Sequence, residues 1–183
     1  MNSGLDLFTG GVITQNLILF QGLGIYALLH FTKSIGTAFK ASIMMLVSTL
    51  TACAFVWIAA PLMPISFGMR LPVYLAIALA AGLLWHKLWI QFTAADSDRS
   101  ILTAFVNSAL VGILLSIPQE LPEGSAVVSY GLACALGYGL VLIVMAGVRE
   151  RLELADVPKP FQGVPILLIS AALLALALMG YRL

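Results

Sequence analysis

Six apolar runs separated by short polar breaks dominate the chain: Val12–Phe31, Ala38–Ala60, Leu71–Phe92, Ile101–Ile117, Ala126–Val148 and Val164–Tyr181. Each is near the roughly 20 residues that carry an α-helix across a bilayer core, the fourth being the shortest. None shows the in/out alternation that a membrane strand needs, so helices are expected throughout. The fold class read from this pattern is an all-α integral membrane protein with six transmembrane helices in a single domain spanning 1–183. Composition agrees: 61% of residues are hydrophobic and 9% charged, against about a quarter charged in soluble domains. Net charge is +1 with no basic run, which excludes nucleic acid as a partner. Cys53 and Cys134 both lie inside apolar runs, so neither a disulfide framework nor a zinc site is indicated. Met1–Gly11 carries Asp6 and no Lys or Arg, so the first span is expected to be retained rather than cleaved as a signal peptide.

The breaks sort into two sets by charge. The connections at 32–37, 93–100 and 149–163 hold Lys33, Arg99, Arg149, Arg151 and Lys159, with Lys40 and Lys87 near helix ends. The opposite side has only Arg70 and Arg182 as cations, and it carries Asp6, Glu120 and Glu123. The positive-inside rule therefore predicts that both termini are extracytoplasmic. Trp57, Trp85 and Trp89 fall near helix ends, where aromatic anchors collect.

Six spans divide into repeats 12–92 and 101–181, and three spans per repeat force the second copy to be inverted. A sequence echo supports this: Gln15-Asn16 followed by Gly22 and Gly24 in the first span, Asn107-Ser108 followed by Gly112 in the fourth. Amides are costly in hydrocarbon, so both sites are expected to face inward. Glycine in mid-span permits either close helix packing or a broken helix. In the fifth span Gly131, Ala135 and Gly139 lie on one stripe where another helix can approach closely, and Cys134 lies off it. The two cysteines read as small buried hydrophobes.

The densest charge cluster is Arg149, Glu150, Arg151, Glu153, Asp156 and Lys159. By composition it is either solvated membrane-surface loop or docking patch. Its sequence is more specific. Arg149-Glu150-Arg151-Leu152, Ala155-Asp156-Val157-Pro158, Pro160-Phe161, Gly163 and Leu176-Ala177-Leu178-Met179-Gly180-Tyr181 closely resemble the C-terminal signature of one family of membrane subunits. That family comprises the A-type subunit of the Rnf ferredoxin:NAD⁺ oxidoreductase complex and the E-type subunit of the sodium-pumping NADH:quinone reductase. Length, six spans and termini-out orientation are also those of the family.

The resemblance implies a membrane subunit of an ion-translocating complex in the bacterial inner membrane, non-catalytic by itself, paired with a homologous, oppositely inserted subunit. Flavins, iron–sulfur clusters and nicotinamide binding would belong to partner subunits, and Arg149, Glu150, Arg151 and Asp156 would dock a partner. It also implies a [2Fe–2S] cluster between the two homologous subunits, two cysteines from each, held in broken spans one and four. Soft thiolates suit that task. This sequence departs at both cysteine positions. With Asn16 and Gly24 aligned to the family's first-span motif, Tyr26 stands where the cysteine belongs; with Asn107 and Gly112 aligned in the fourth, Ser108 replaces the second. The expectation is that this chain binds no cofactor of its own and that Tyr26 and Ser108 meet near mid-membrane, with Ser108, Asn107 or Asn16 available to the tyrosine hydroxyl. Sequence leaves two other readings open: a small inverted-repeat transporter or channel lined by Asn16, Gln21, Asn107 and Ser108, and a purely structural assembly subunit.

Overall fold

The computed structural model describes residues 16–59, 70–93, 104–117 and 124–180. Asp6, Gln15, Arg99, Glu120, Glu123, Tyr181 and Arg182 lie outside them. The described chain is all-helical: α1 Leu17–Gln21, α2 Ile25–Phe31, α3 Ile35–Ala59, α4 Arg70–Thr93, α5 Ser108–Leu115, α6 Gly124–Glu153 and α7 Val164–Met179, with a 3₁₀ turn at Lys159–Phe161 before α7.

Three of these are long and apolar enough to cross a bilayer, namely Ile35–Ala59, Leu71–Gln91 and Ala126–Glu153, and Val164–Met179 is a shorter apolar helix. The first and fourth apolar runs are interrupted. Between α1 and α2 the chain turns through Gly22 and Gly24 at φ +67° and +85°, a region that only glycine enters cheaply. In the fourth run a helical turn at 104–105 stops, and α5 starts afresh after extended Asn107.

The spine is the antiparallel pair α3 and α6. Small residues let them touch, as the stripe predicts: a Cβ on Gly131 would land on Cys53 Sγ, and one on Gly139 would lie 3.0 Å from Ser42 Cβ. Backbones this close gain dispersion contact where lipid offers no hydrophobic drive for association. Cys53 and Cys134 are buried, free thiols, as read from the sequence.

Two expectations need correction. Arg149 to Glu153 are the last turn of α6, not loop. Nothing in that stretch breaks a helix before Pro158, and Arg149 and Glu153 pair at 3.5 Å across one turn. Trp85 and Trp89 are also more than interfacial anchors: Trp85 Nε1 donates to Thr51 Oγ1 of α3 at 3.2 Å, and Trp89 packs edge-on against Phe105.

Candidate functional site

The two interruptions meet on α6. Asn16 Oδ1 accepts from the backbone N–H groups of Ile18 and Leu19 at 3.2 and 3.4 Å, which caps α1. Its Nδ2 donates to the Gly137 carbonyl at 2.8 Å. Asn107 repeats the arrangement, accepting from Ala109 and Leu110 at 2.9 and 3.2 Å to cap α5 while Nδ2 donates to the Tyr138 hydroxyl at 3.1 Å. Each asparagine thus satisfies orphan donors of a half-helix and ties that half-helix to consecutive residues of α6. Asn16 is 1% exposed and Asn107 is half-buried, so both amides face inward as their cost in hydrocarbon demands.

Gly24 joins the two halves. Its N–H donates to Ser108 Oγ at 3.0 Å, and a Cβ there would sit 3.1 Å from the Tyr138 ring and 3.3 Å from Ala109 Cβ. Gly112, one turn into α5, is buried beneath this junction. The seven residues of α2 rise about 10 Å between Gly24 and the 32–34 turn, so the junction lies well inside the end of the bundle that this turn forms.

Ser108 therefore meets the turn that precedes Tyr26, but through Gly24. Tyr26 itself is 57% exposed and stacks on His30, with ring centroids 5.4 Å apart. The asparagine oxygens expected to accept from its hydroxyl cap α1 and α5 instead. Gln21, Gly22, Tyr26 and Ser108 all lie on the outer surface of the bundle.

The donor set does not fit a [2Fe–2S] cluster shared with another subunit. Such a cluster needs thiolates on the surface facing the partner. That surface presents a phenol and a hydroxyl at positions 26 and 108. Both thiols are instead sealed inside the chain: Cys53 is 0% and Cys134 1% exposed, with Cys53 seated against Gly131. Among the described residues, no group of three or more His, Cys, Asp or Glu side chains could hold a metal ion.

At the charged end of the bundle, Arg149 and Glu150 act within the chain. Arg149 Nη1 donates to the Leu29 carbonyl at 3.2 Å, near the C-terminus of α2, and Glu150 Oε1 accepts from the Ile35 N–H at 3.3 Å, at the N-terminus of α3. A cation and an anion thus each face the helix end of favourable dipole sign. Arg151 and Asp156 are exposed. The charged segment and the 32–34 turn consequently lie at one end of the molecule, as the charge sorting of the loops required.

Known proteins are similar to this chain along nearly its whole length. A family model described as "Rnf-Nqr subunit, membrane protein" matches residues 5–183. The chain belongs to the Rnf-Nqr family. Similar full-length relatives include a protein of Erwinia tasmaniensis named as the A subunit of the ion-translocating oxidoreductase complex, 31% identical over 189 residues that cover 99% of this chain and 97% of the relative. The proteins of the same name from an Azoarcus species and from Sodalis glossinidius are 30% and 31% identical, with the same coverage. Within this Rnf-Nqr chain, the paired asparagines and the glycine turn were legible from sequence. Tyr138, which receives one of the amides, and Gly82, where a Cβ would collide with Val106 at the fourth-run break, were not. An aromatic or a lone glycine inside an apolar run carries no pattern that marks it.

Proposed function

We propose that this chain is a membrane subunit of an Rnf-type ion-translocating ferredoxin:NAD⁺ oxidoreductase complex, paired at its interrupted face with a homologous subunit inserted in the opposite sense. Full-length similarity to proteins named as the A subunit of ion-translocating oxidoreductase complexes supports the first part. The second rests on one observation: Gly22 of the turn and Ser108 are exposed on the outer surface where the two interruptions meet, which in this reading is at middle depth. Lipid cannot satisfy irregular backbone or polar side chains there, so protein must cover them. The matching caps made by Asn16 and Asn107 support two inverted repeats, 12–92 and 101–181, and hence six spans.

In this reading the chain is a scaffold. It holds a partner-facing surface at mid-membrane and supplies no ligand to a cluster, because its thiols are internal and Tyr26 and Ser108 offer only oxygen. Flavins, clusters and nicotinamide chemistry belong to the other subunits, and Arg151 and Asp156, free of the intramolecular caps, are the charges available for docking. The chain lies in the bacterial cytoplasmic membrane with both termini outside. A transporter site lined by the two asparagines gains nothing from their geometry, since both amides are committed to caps and to α6.

Affinity purification from native membranes through a tag on this chain tests the assignment. Co-purification of a homologous six-span subunit with flavin- and iron–sulfur-binding subunits is expected. Recovery of the chain alone, with no redox-active partner, would refute it.

A further inference from the structure

We propose that the recess at the 32–34 turn binds the headgroup phosphate of an anionic phospholipid. The cavity, about 280 Å³, is lined by His30, Lys33, Thr37 and Lys40 together with apolar residues that include Phe31 and Met44. Three features point to a phospholipid.

The first is unneutralised charge. Lys33 and Lys40 are exposed, and among the described residues the one ion pair is that of Arg149 with Glu153. Glu150 reaches this turn, where it accepts the Ile35 N–H, and its single negative charge leaves the two lysines in excess. Two ammonium groups beside one cavity make a point-charge site for a phosphate. The second is a set geometry. Thr37 Oγ1 donates to the carbonyls of Phe31 and Ser34, each at 2.9 Å, and so pins the turn between the two lysines. His30 is held between the ring of Tyr26 and the edge of Phe31, and an imidazole in either tautomer offers one N–H to an anion.

The third separates a lipid from a free ion. Apolar Phe31 and Met44 line the same cavity as the charges, where α2 ends and α3 begins. Lys40 starts over one turn inside α3 and can extend its stem along that apolar lining, as lysines near helix ends do. A recess that is both basic and apolar at a helix end of a membrane protein fits an amphiphile, whose glycerol and chain ends meet the apolar lining while the phosphate meets the lysines. The proposal rests on the chain lying in a bilayer and not on its membership in the complex, so either can fail alone.

Amine-reactive footprinting of the full chain in nanodiscs tests it. Lys33 and Lys40 are expected to be protected in discs containing phosphatidylglycerol relative to phosphatidylcholine alone, while Lys87 on α4 reacts equally in both. Native mass spectrometry should show phosphatidylglycerol retained by the wild type and by Lys33→Arg/Lys40→Arg, and binding weakened roughly tenfold to thirtyfold in Lys33→Ala/Lys40→Ala. Equal reactivity of the two lysines in both discs overturns the proposal. Equal protection by inorganic phosphate in phosphatidylcholine discs would make this a small-anion site and overturns it as well. So does protection in phosphatidylcholine discs that is abolished by Asp96→Asn/Asp98→Asn, because the chain's own acids would then be the counter-ions.

Discussion

Asn107 performs two separable jobs, and substitution can divide them. Its Oδ1 caps α5 at 2.9 and 3.2 Å, and its Nδ2 ties α5 to Tyr138 at 3.1 Å. Loss of a cap costs about 1 kcal/mol. A hydrogen bond between membrane helices is worth about 0.6 kcal/mol and at most about 1.7. Asn107→Ala loses both and should destabilise the chain by about 1.5–2.5 kcal/mol. Asn107→Ser keeps an oxygen that can cap α5 but is too short to reach Tyr138, so it should cost about 0.6 kcal/mol. Tyr138→Phe removes the hydroxyl while leaving the ring against Gly24, and a cycle with Asn107→Ala should give a coupling of about 0.6–1.7 kcal/mol. Reversible unfolding of the full chain in bicelles by titrated dodecyl sulfate measures each of these variants against the wild type. Equal costs for Ala and Ser, or a coupling indistinguishable from zero, would refute the division.

Gly24→Ala should destabilise by more than the roughly 1–2 kcal/mol of a left-handed residue, because its methyl also meets Tyr138 and Ala109; Gly36→Ala, with open space around it, should be neutral or slightly stabilising in the same unfolding assay. Arg149→Ala should lower stability by about 1–2 kcal/mol through loss of a charged donor to Leu29, whereas reversing the charges of Arg151 and Asp156 should leave the chain's unfolding within about 0.5 kcal/mol yet reduce recovery of the complex. A reporter fused after Leu183 should be active only outside the cytoplasm; activity confined to the cytoplasm would reverse the topology.

What could be read from the sequence follows from which physical costs leave a local mark. An amide in an apolar run is expensive, so Asn16 and Asn107 announced inward-facing sites, and small residues at four-residue spacing announced the α3–α6 contact at Gly131 and Gly139. Interactions far apart along the chain left no such mark. Arg149 to Leu29 and Asn107 to Tyr138 are contacts between separate helices, and neither is encoded in the spacing of either segment. The charges of Arg149–Glu153 looked like loop because charge density usually marks the end of a span. The helix continues through them because nothing breaks it before Pro158, and two of those charges, Arg149 and Glu150, reach the ends of the neighbouring helices. Tyr26 was placed opposite Ser108 by alignment with the family's cysteines, which fixes position along the chain but not the direction of a side chain. In the structure the ring turns along α2 to His30 and leaves the junction to Gly24.

The role assigned to this chain is to present its interrupted face to a partner while contributing no ligand to a cluster. A density map of the intact complex, purified through this chain and with its iron atoms located, tests that directly. It should show a homologous subunit of opposite orientation covering Gly22–Tyr26 and Ser108, with no iron within bonding distance of any atom of this chain. A cluster bonded to Cys53, Cys134, Tyr26 or Ser108, or lipid alone against that face, would contradict it.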